Sequence, residues 1–140
     1  MNILWIEDDI YRIKGLLNPL EEQGARIFIA KNYKQAIESL NSGVKFDLFV
    51  VDLIIPNGNA DELCEEREDK LDKTNDILGV NVCILCKNKY PDVPIVVITV
   101  VSDNVTIKKL MEIGVNRIFQ KGSLFPSELK DELIDLIKEK

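Results

Sequence analysis

The sequence predicts an α/β domain with a five-stranded parallel sheet that is doubly wound by helices, and two observations carry this prediction. Short apolar runs alternate with segments of helical periodicity, so that a strand and a helix follow each other five times. Most of the strand runs are apolar at successive positions, which is typical of parallel strands buried on both faces. Right-handed crossovers then place helices on both sides of the sheet.

The strand runs are short and rich in β-branched residues. They are ILWI at 3–6, RIFIA at 26–30, FDLFVV at 46–51, PIVVITV at 94–100 and NRIFQ at 116–120. Ligands of such sheets collect outside the carboxyl ends of the strands, where the winding direction reverses. The polar residues that follow these runs are therefore the first candidates for a site.

The first two helices are predicted from apolar spacing and from capping residues. Apolar residues keep helical spacing over 10–20, and Pro19 is expected to kink or shorten this helix because proline lacks a backbone N–H. The second helix follows Asn32, whose side chain suits an N-cap, and Gln35 stands three residues later.

The segment between the third and fourth strands is longer than one crossover needs. Its second half, residues 76–90, is predicted to be a helix that is capped by Thr74 or Asn75 and stopped by Pro91. Its first half, at about 57–76, is charged and is predicted to be an insertion between the third strand and the third helix. The charge run EEREDKLDK is typical of a solvated face, and a docking surface for a partner is the functional alternative.

The last two helices carry clear start and stop signals. Ser102 is expected to cap the fourth helix, which ends at Gly114 as a glycine C-cap should. The fifth helix follows Pro126 and Ser127 and has apolar residues on one face and charged residues on the other.

Composition and charge exclude several classes of function. With 140 residues, of which 46% are hydrophobic and 30% charged, the chain has the size and composition of one globular domain. A net charge of -6 without a long Lys/Arg run argues against direct binding of nucleic acid, and the apolar runs are too short to cross a membrane. The acidic start and the three cysteines, which cannot all pair within one chain, favour a cytoplasmic location. The absence of histidine removes a histidine base and histidine-ligated zinc.

Five polar residues follow the predicted strands and can share one crevice. Glu7 and Asp8 follow the first strand, Asp52 ends the third, Thr99 ends the fourth, and Lys121 ends the fifth. Clustered carboxylates repel one another, and oxygen ligands with room for water suit Mg²⁺ or Mn²⁺. A cation, an ammonium group and a hydroxyl group are what a phosphoryl group needs during transfer, and Asp52 is the candidate nucleophile.

Each of these residues also has an ordinary structural interpretation. An acidic pair after a strand often caps the next helix, and Asp52 could cap the turn that follows its strand. Lys121 alone is typical of a solvated loop, and Thr99 alone is typical of a strand. Their shared position at the carboxyl ends of the strands favours the site.

The chain resembles the receiver domains of two-component response regulators. The resemblance runs through ILWIEDD, FDLFVVDLIIP, PIVVITV and EIGVNRIFQK, and the spacings from Asp8 to Asp52 and from Thr99 to Lys121 also match. Because it covers nearly the whole chain, residues 1–140 are predicted to form a single receiver domain of the flavodoxin-like (βα)5 type. The resemblance also implies a stand-alone response regulator.

The resemblance implies a role for each site residue. Asp52 would accept a phosphoryl group from a histidine kinase or a histidine phosphotransfer protein. Asp8, Asp52 and the backbone carbonyl of Ile54 would bind Mg²⁺ directly, and Glu7 would help through water. The remaining two roles would belong to Thr99, which would move to hydrogen-bond the phosphoryl group, and to Lys121, which would pair with it.

The resemblance also implies partners and a mode of action. The chain would switch its binding to a downstream protein and would not be a turnover enzyme, although it would assist its own phosphorylation and dephosphorylation. Receivers often form homodimers through the face of the fourth helix, fifth strand and fifth helix. Direct contact with nucleic acid or a membrane is not expected.

Three positions depart from the receiver pattern. Val100 replaces the usual Ala or Gly and is expected to narrow access to the phosphoryl group. Ile118 replaces the usual aromatic switch residue, and Gly122 replaces a proline that follows the lysine through a cis peptide bond. These positions keep open the alternative of a protein-binding module that does not depend on phosphorylation. A phosphohydrolase is disfavoured because Ile54 stands where a second acid is usual.

The three cysteines suggest a metal or redox site only superficially. Cys83 and Cys86 form a C-x-x-C pattern, and Cys64 lies in the insertion. The pair falls in an apolar helical pattern without a fourth cysteine or a histidine, so we expect both thiols to pack as small hydrophobic groups.

Overall fold

The computed structural model describes residues 1–58 and 77–139, and all five predicted strands lie in one parallel sheet. The strand order is β2-β1-β3-β4-β5, and the sheet order therefore reverses between β1 and β3. The predicted doubly wound fold is confirmed. The strands are β1 (Asn2–Ile6), β2 (Arg26–Ala30), β3 (Leu48–Val51), β4 (Ile95–Thr99) and β5 (Arg117–Gln120).

The described helices cover both faces of the sheet. They are α1 (Ile10–Glu22), α2 (Tyr33–Leu40), α3 (Leu78–Lys89), α4 (Asn104–Ile113) and α5 (Pro126–Lys138). Alternate strand residues point to opposite faces, as the pleat of a strand requires. On β1, Leu4 and Ile6 pack in the core beneath α2, α3 and α4, whereas Ile3 and Trp5 pack in the core beneath α1 and α5.

Two local predictions about helix ends are wrong, namely that Pro19 shortens α1 and that Ser102 caps α4. Pro19 does not shorten α1, which continues to Glu22, because Leu17 and Leu20 on either side of the proline are buried and outweigh one lost hydrogen bond. The N-cap of α4 is Asp103 and not Ser102, since the Asp103 carboxylate accepts the Thr106 N–H at 2.9 Å. That hydrogen bond lowers the pKa of Asp103.

Other end signals hold. Asn32 caps α2 by accepting the Gln35 N–H at 2.8 Å, and α4 ends at a left-handed Gly114. The helix α5 begins at Pro126 and therefore includes Pro126 and Ser127, which were predicted to precede it. Residues 59–76, which contain most of the predicted insertion with its charge run, Cys64 and the two expected caps of α3, lie outside the described residues.

The two described cysteines are core residues of α3. Cys83 and Cys86 are fully buried among aliphatic side chains, and burial raises the pKa of Cys83 to about 12.

Because the thiolate is the reactive form, we expect both thiols of a Cys64→Ser variant to resist an aromatic disulfide reagent in the native state. Both should react at once in denaturant; rapid reaction of the native protein would contradict this packing.

Among the described residues, no helix has both the length and the apolar character that crossing a membrane requires.

Candidate functional site

The predicted site residues meet at the reversal point of the sheet. Glu7 and Asp8 follow β1, and Asp52 follows β3, the strand that pairs with β1. Glu7 N–H donates to the Ala30 carbonyl at 2.9 Å, and Asp52 N–H donates to the Ile6 carbonyl at 2.9 Å. Sheet hydrogen bonds therefore hold the backbones of the acidic residues in place, in the crevice where such folds bind ligands.

Lys121 joins the two buried carboxylates. Its Nζ lies 2.9 Å from Oε1 of Glu7 and 2.9 Å from Oδ2 of Asp52. Glu7 is 1% exposed and Asp52 is 4% exposed, so neither carboxylate has much contact with water. Desolvation acts to lower the pKa of Lys121, but the hydrogen bonds and charges of Glu7 and Asp52 outweigh it and raise that pKa. The lysine is therefore held in its charged form.

The three carboxylates form a compact acidic cluster. One oxygen from each of Glu7, Asp8 and Asp52 lies within 4.8 Å of the others. Desolvation, together with the neighbouring Glu7 carboxylate, raises the pKa of the exposed Asp8. Lys121 compensates only one of the three negative charges. The cluster thus has the oxygen ligands and the surplus charge that suit a divalent cation.

A residue that the sequence analysis missed, Asp9, takes the capping role. Its carboxylate accepts the Arg12 N–H at 3.3 Å and caps α1, while its own N–H donates to Oε2 of Glu7 at 3.2 Å. Glu7 and Asp8 are therefore not needed to cap this helix. Asp52 does accept the Ile54 N–H at 3.3 Å, so it makes a weak turn contact in addition to its ion pair. The run of three acidic residues at 7–9 was the sequence signal that could have identified Asp9 as a cap separate from the site.

Thr99 lies beside the cluster but its hydroxyl is engaged elsewhere. The side chain is fully buried, and Oγ1 accepts the Val101 N–H at 3.1 Å. The Thr99 carbonyl accepts the Lys121 N–H at 3.0 Å, and Nε2 of Gln120 donates to the Val101 carbonyl at 3.0 Å. The ends of β4 and β5 are therefore joined by the Gln120 side chain as well as by backbone hydrogen bonds.

The loop after Asp52 is packed tightly on both sides. Its Pro56 carbonyl accepts the Tyr33 N–H at 2.9 Å, which satisfies a free donor at the start of α2. On the other side, the Gly79 N–H donates to the Leu53 carbonyl at 2.9 Å. A Cβ atom at Gly79 would collide with the Leu53 Cα and with the Asp52 carbonyl oxygen. A glycine at this point lets α3 begin against the backbone of the phosphoacceptor candidate.

The three residues that differ from the receiver pattern, Val100, Ile118 and Gly122, lie in different structural surroundings. Val100 is 61% exposed, and Ile118 packs at the edge of the core beneath α2, α3 and α4. Gly122 has a φ of 82°, a conformation that favours glycine, and every described peptide bond is trans. The loop after Lys121 thus uses a left-handed glycine where the receiver pattern has a cis-proline.

A cavity of about 440 Å³ opens behind Lys121, between α1 and the start of α5. Its wall is mostly apolar and includes Trp5, Ile98 and Phe119, with Glu7 and Lys121 at its polar side. The ion pair is therefore bordered by apolar surface on this side, which limits its hydration.

Solved structures with the same architecture include response regulators. A two-component response regulator from Clostridium difficile superposes with a TM-score of 0.75, at 22% sequence identity, over 99% of this chain and 96% of that chain. The chain has the receiver-domain fold. A CheY-like receiver domain protein from Methanospirillum hungatei JF-1 shares this receiver fold with a TM-score of 0.73, at 17% identity, over 99% of this chain and 98% of that chain. The predicted resemblance is confirmed at the level of the fold.

One structure with the receiver fold contains ligands. A response regulator protein from Burkholderia pseudomallei, described with a phosphorylated aspartic acid, a calcium ion and citrate, superposes with a TM-score of 0.71 at 22% identity. The alignment covers 99% of this chain and 69% of that chain.

A curated relative has a similar sequence. The transcriptional regulatory protein CrdR of Helicobacter pylori is 30% identical over 136 residues, which are 97% of this chain and 53% of that protein. The chain thus spans about half the length of this relative. No protein-family model matches the chain.

Proposed function

We propose that the chain is a response-regulator receiver whose Asp52 accepts a phosphoryl group from the phosphohistidine of a kinase or a histidine phosphotransfer protein. The observation that carries this proposal is the buried Asp52 carboxylate, which is ion-paired with Lys121 inside an acidic cluster at the reversal point of the sheet. The receiver fold and the similarity to a transcriptional regulatory protein support it.

The reaction is a displacement at phosphorus. An Asp52 oxygen attacks the phosphorus atom, the P–N bond of phosphohistidine breaks, and its electron pair returns to the imidazole nitrogen. The product is an acyl phosphate on Asp52. Lys121, which already lies 2.9 Å from Asp52, neutralises part of the charge on the phosphoryl oxygens, and the Thr99 hydroxyl turns to donate a hydrogen bond to them.

The donor set fits Mg²⁺ or Mn²⁺. Asp8, Asp52 and the carbonyl of Ile54 would hold the ion, and Glu7 would act through water because Lys121 and the Asp9 N–H already engage its two oxygens. A bound cation supplies charge neutralisation for the phosphoryl oxygens and for the acidic cluster. The calcium ion and the phosphorylated aspartate of the Burkholderia pseudomallei protein support this assignment.

The assay that tests the proposal is phosphorylation by acetyl phosphate with Mg²⁺, followed by intact-mass spectrometry. We expect one phosphoryl adduct on the wild-type chain and none on Asp52→Asn. Asp92→Asn is the matched control, because Asp92 is exposed near the start of β4, at the opposite end of the sheet from Asp52. No wild-type adduct, or an equal adduct on Asp52→Asn, would refute the assignment.

Mg²⁺ is expected to stabilise the folded chain even without phosphorylation. At ten times its dissociation constant the ion should add about 1.4 kcal/mol, or roughly 3–6 °C in Tm, because it binds the native cluster and not the unfolded chain. Asp8→Asn should lose most of this shift, and K⁺ at equal ionic strength should not produce it. Calorimetry of both proteins with and without Mg²⁺ measures the difference; equal shifts would remove Asp8 from the site.

The proposal includes the expected context of a signalling switch. The acyl phosphate ends the chemical step, so the consequence is a change in binding to a downstream protein in the cytoplasm and not turnover of a substrate. A homodimer through α4, β5 and α5 is one form that this change could take.

A second candidate function is protein binding that does not depend on phosphorylation. The left-handed Gly122 after Lys121 and the bulkier Val100 favour it, since both change the surroundings of the predicted phosphoryl group. A chain that forms no adduct under forcing conditions and still binds its partner would establish this alternative.

A further inference from the structure

Two hydrogen bonds connect the Thr99 hydroxyl through Val101 to the edge strand β5, and a third joins the Thr99 backbone to Lys121. The Val101 N–H donates to Thr99 Oγ1 at 3.1 Å, and the Val101 carbonyl accepts from Gln120 Nε2 at 3.0 Å. The Lys121 N–H donates to the Thr99 carbonyl at 3.0 Å. Val101 therefore stands between a fully buried hydroxyl and an exposed amide side chain on β5.

The Thr99 hydroxyl cannot change partner without affecting Val101. A hydroxyl offers one donor and two acceptor positions, and here one acceptor position is used by the Val101 N–H. This bond does not use the donor position, so it is lost only if the Thr99 side chain rotates and carries Oγ1 toward a phosphoryl group on Asp52; the Val101 N–H then has no acceptor. Val101 is half-buried, so an N–H that loses this acceptor needs another one in the protein or in water. We expect the turn at 99–101 to rearrange in order to reach it, and the carbonyl of Val101 to move with the turn.

The setting of Gln120 makes it the residue that registers this rearrangement. It is the last residue of β5, it precedes Lys121, and its backbone is paired with Thr99 in the sheet. Its side chain holds the turn after β4 from the outside of the molecule. Ile118, two residues earlier, has no polar atom in its side chain and cannot make such a bond.

We infer that Gln120 is a positioning residue that holds the turn at 99–101 in its resting form, and that phosphorylation of Asp52 breaks its bond to the Val101 carbonyl. This inference rests on the proposed function. It assigns to a glutamine on β5 the coupling between the buried hydroxyl and the surface of the molecule. The chemical event is an exchange of hydrogen bonds, with no covalent change beyond the phosphorylation itself.

The kinetic consequence follows from the resting bond. The Gln120 bond opposes the movement of Thr99. Its removal should therefore increase the population of the form in which the turn at 99–101 has rearranged and the Thr99 hydroxyl faces Asp52. A solvent-exposed hydrogen bond in the weaker part of the usual range corresponds to roughly a two- to fivefold change in an equilibrium. Gln120→Met, which keeps length but loses the donor, should therefore raise the rate of phosphorylation by acetyl phosphate about two- to fivefold. Gln23→Ala, at an exposed glutamine after α1, should leave the rate unchanged.

The direct test is ¹⁵N NMR of the Gln120 side-chain amide, assigned by its loss in Gln120→Met. We expect this signal to shift when beryllium fluoride and Mg²⁺ form an acyl-phosphate mimic on Asp52, and to stay in place in Asp52→Asn. Thr99→Val removes the hydroxyl with little change in volume, so it should shift the same signal without any phosphoryl group.

The outcomes separate this inference from the proposed function. An adduct on Asp52 with an unmoved Gln120 signal would overturn the inference and leave the proposed function standing. An unmoved signal in folded Thr99→Val would overturn it independently of phosphorylation. If no adduct or mimic forms on Asp52, the proposed function fails, and the phosphorylation-driven step of the inference fails with it.

Discussion

Lys121→Met is expected to destabilise the metal-free protein by about 3–5 kcal/mol, the cost of leaving buried charge without its partner. Lys121 lies 2.9 Å from carboxylate oxygens of both Glu7 and Asp52, and these residues are 1% and 4% exposed. Without the ammonium group, two buried carboxylates would face each other and Asp8 with no cation between them. Urea unfolding in the presence of a chelator measures the loss.

Two further measurements identify the cause of that loss. Asp52→Asn in the Lys121→Met background should recover part of the stability, because one of the opposed charges is gone, and Mg²⁺ should recover part of it in the single variant. Lys130→Met is the matched control, since its pair with the exposed Asp131 at 3.1 Å lies on the surface and should contribute less than about 1 kcal/mol. Equal losses for both lysines would contradict a special role for the buried pair.

Gly79→Ala is expected to destabilise the fold by about 1–3 kcal/mol or more and to slow phosphorylation at the same time. The added methyl group would collide with the backbone of Asp52 and Leu53, which belongs to a buried strand end and cannot rotate aside as a flexible side chain can. Either α3 or the Asp52 loop must move. A shift of the loop would misplace the nucleophile relative to Lys121.

The control for this prediction is Gly15→Ala in α1. No heavy atom lies within 4 Å of a Cβ atom at Gly15, and the residue is exposed within a helix. Alanine there should stabilise the chain by up to about 1 kcal/mol, since it favours the helix. Unfolding curves and acetyl-phosphate rates for both variants give the comparison. A Gly79→Ala protein with wild-type stability and rate would show that the contact is not restrictive.

Local sequence patterns were sufficient for most of the architecture. Continuous apolar runs predicted the five parallel strands, and β2 has the predicted bounds. The strand β3 begins two residues later than predicted, and β4 lacks Pro94 at its start and Val100 at its end. Asn32 and Gly114 marked real helix ends because capping depends on one residue and its neighbours. The prediction that Pro19 shortens α1 was wrong because burial of the neighbouring residues outweighs the local penalty of a proline. A local sequence pattern does not contain that burial.

The candidate site was also predictable in part, for a topological reason. In a parallel sheet every strand delivers its last residue to the same edge, so Glu7, Asp8, Asp52, Thr99 and Lys121 could be assigned to one crevice from strand positions alone. The structure brings four of them into one charged cluster and places the fifth next to it. The phosphoryl and metal roles of these residues stay predictions.

Only the folded chain decided which atoms are engaged. It assigned the cap of α1 to Asp9, paired Lys121 with Glu7 as well as Asp52, turned the Thr99 hydroxyl toward Val101, and set Gly79 against the Asp52 loop. These contacts join residues from separate strands and helices, or depend on a rotamer. Periodicity and spacing record which edge of the sheet a residue reaches, but distance, burial and hydrogen-bond partner arise from packing between distant segments, which is a property of the tertiary structure.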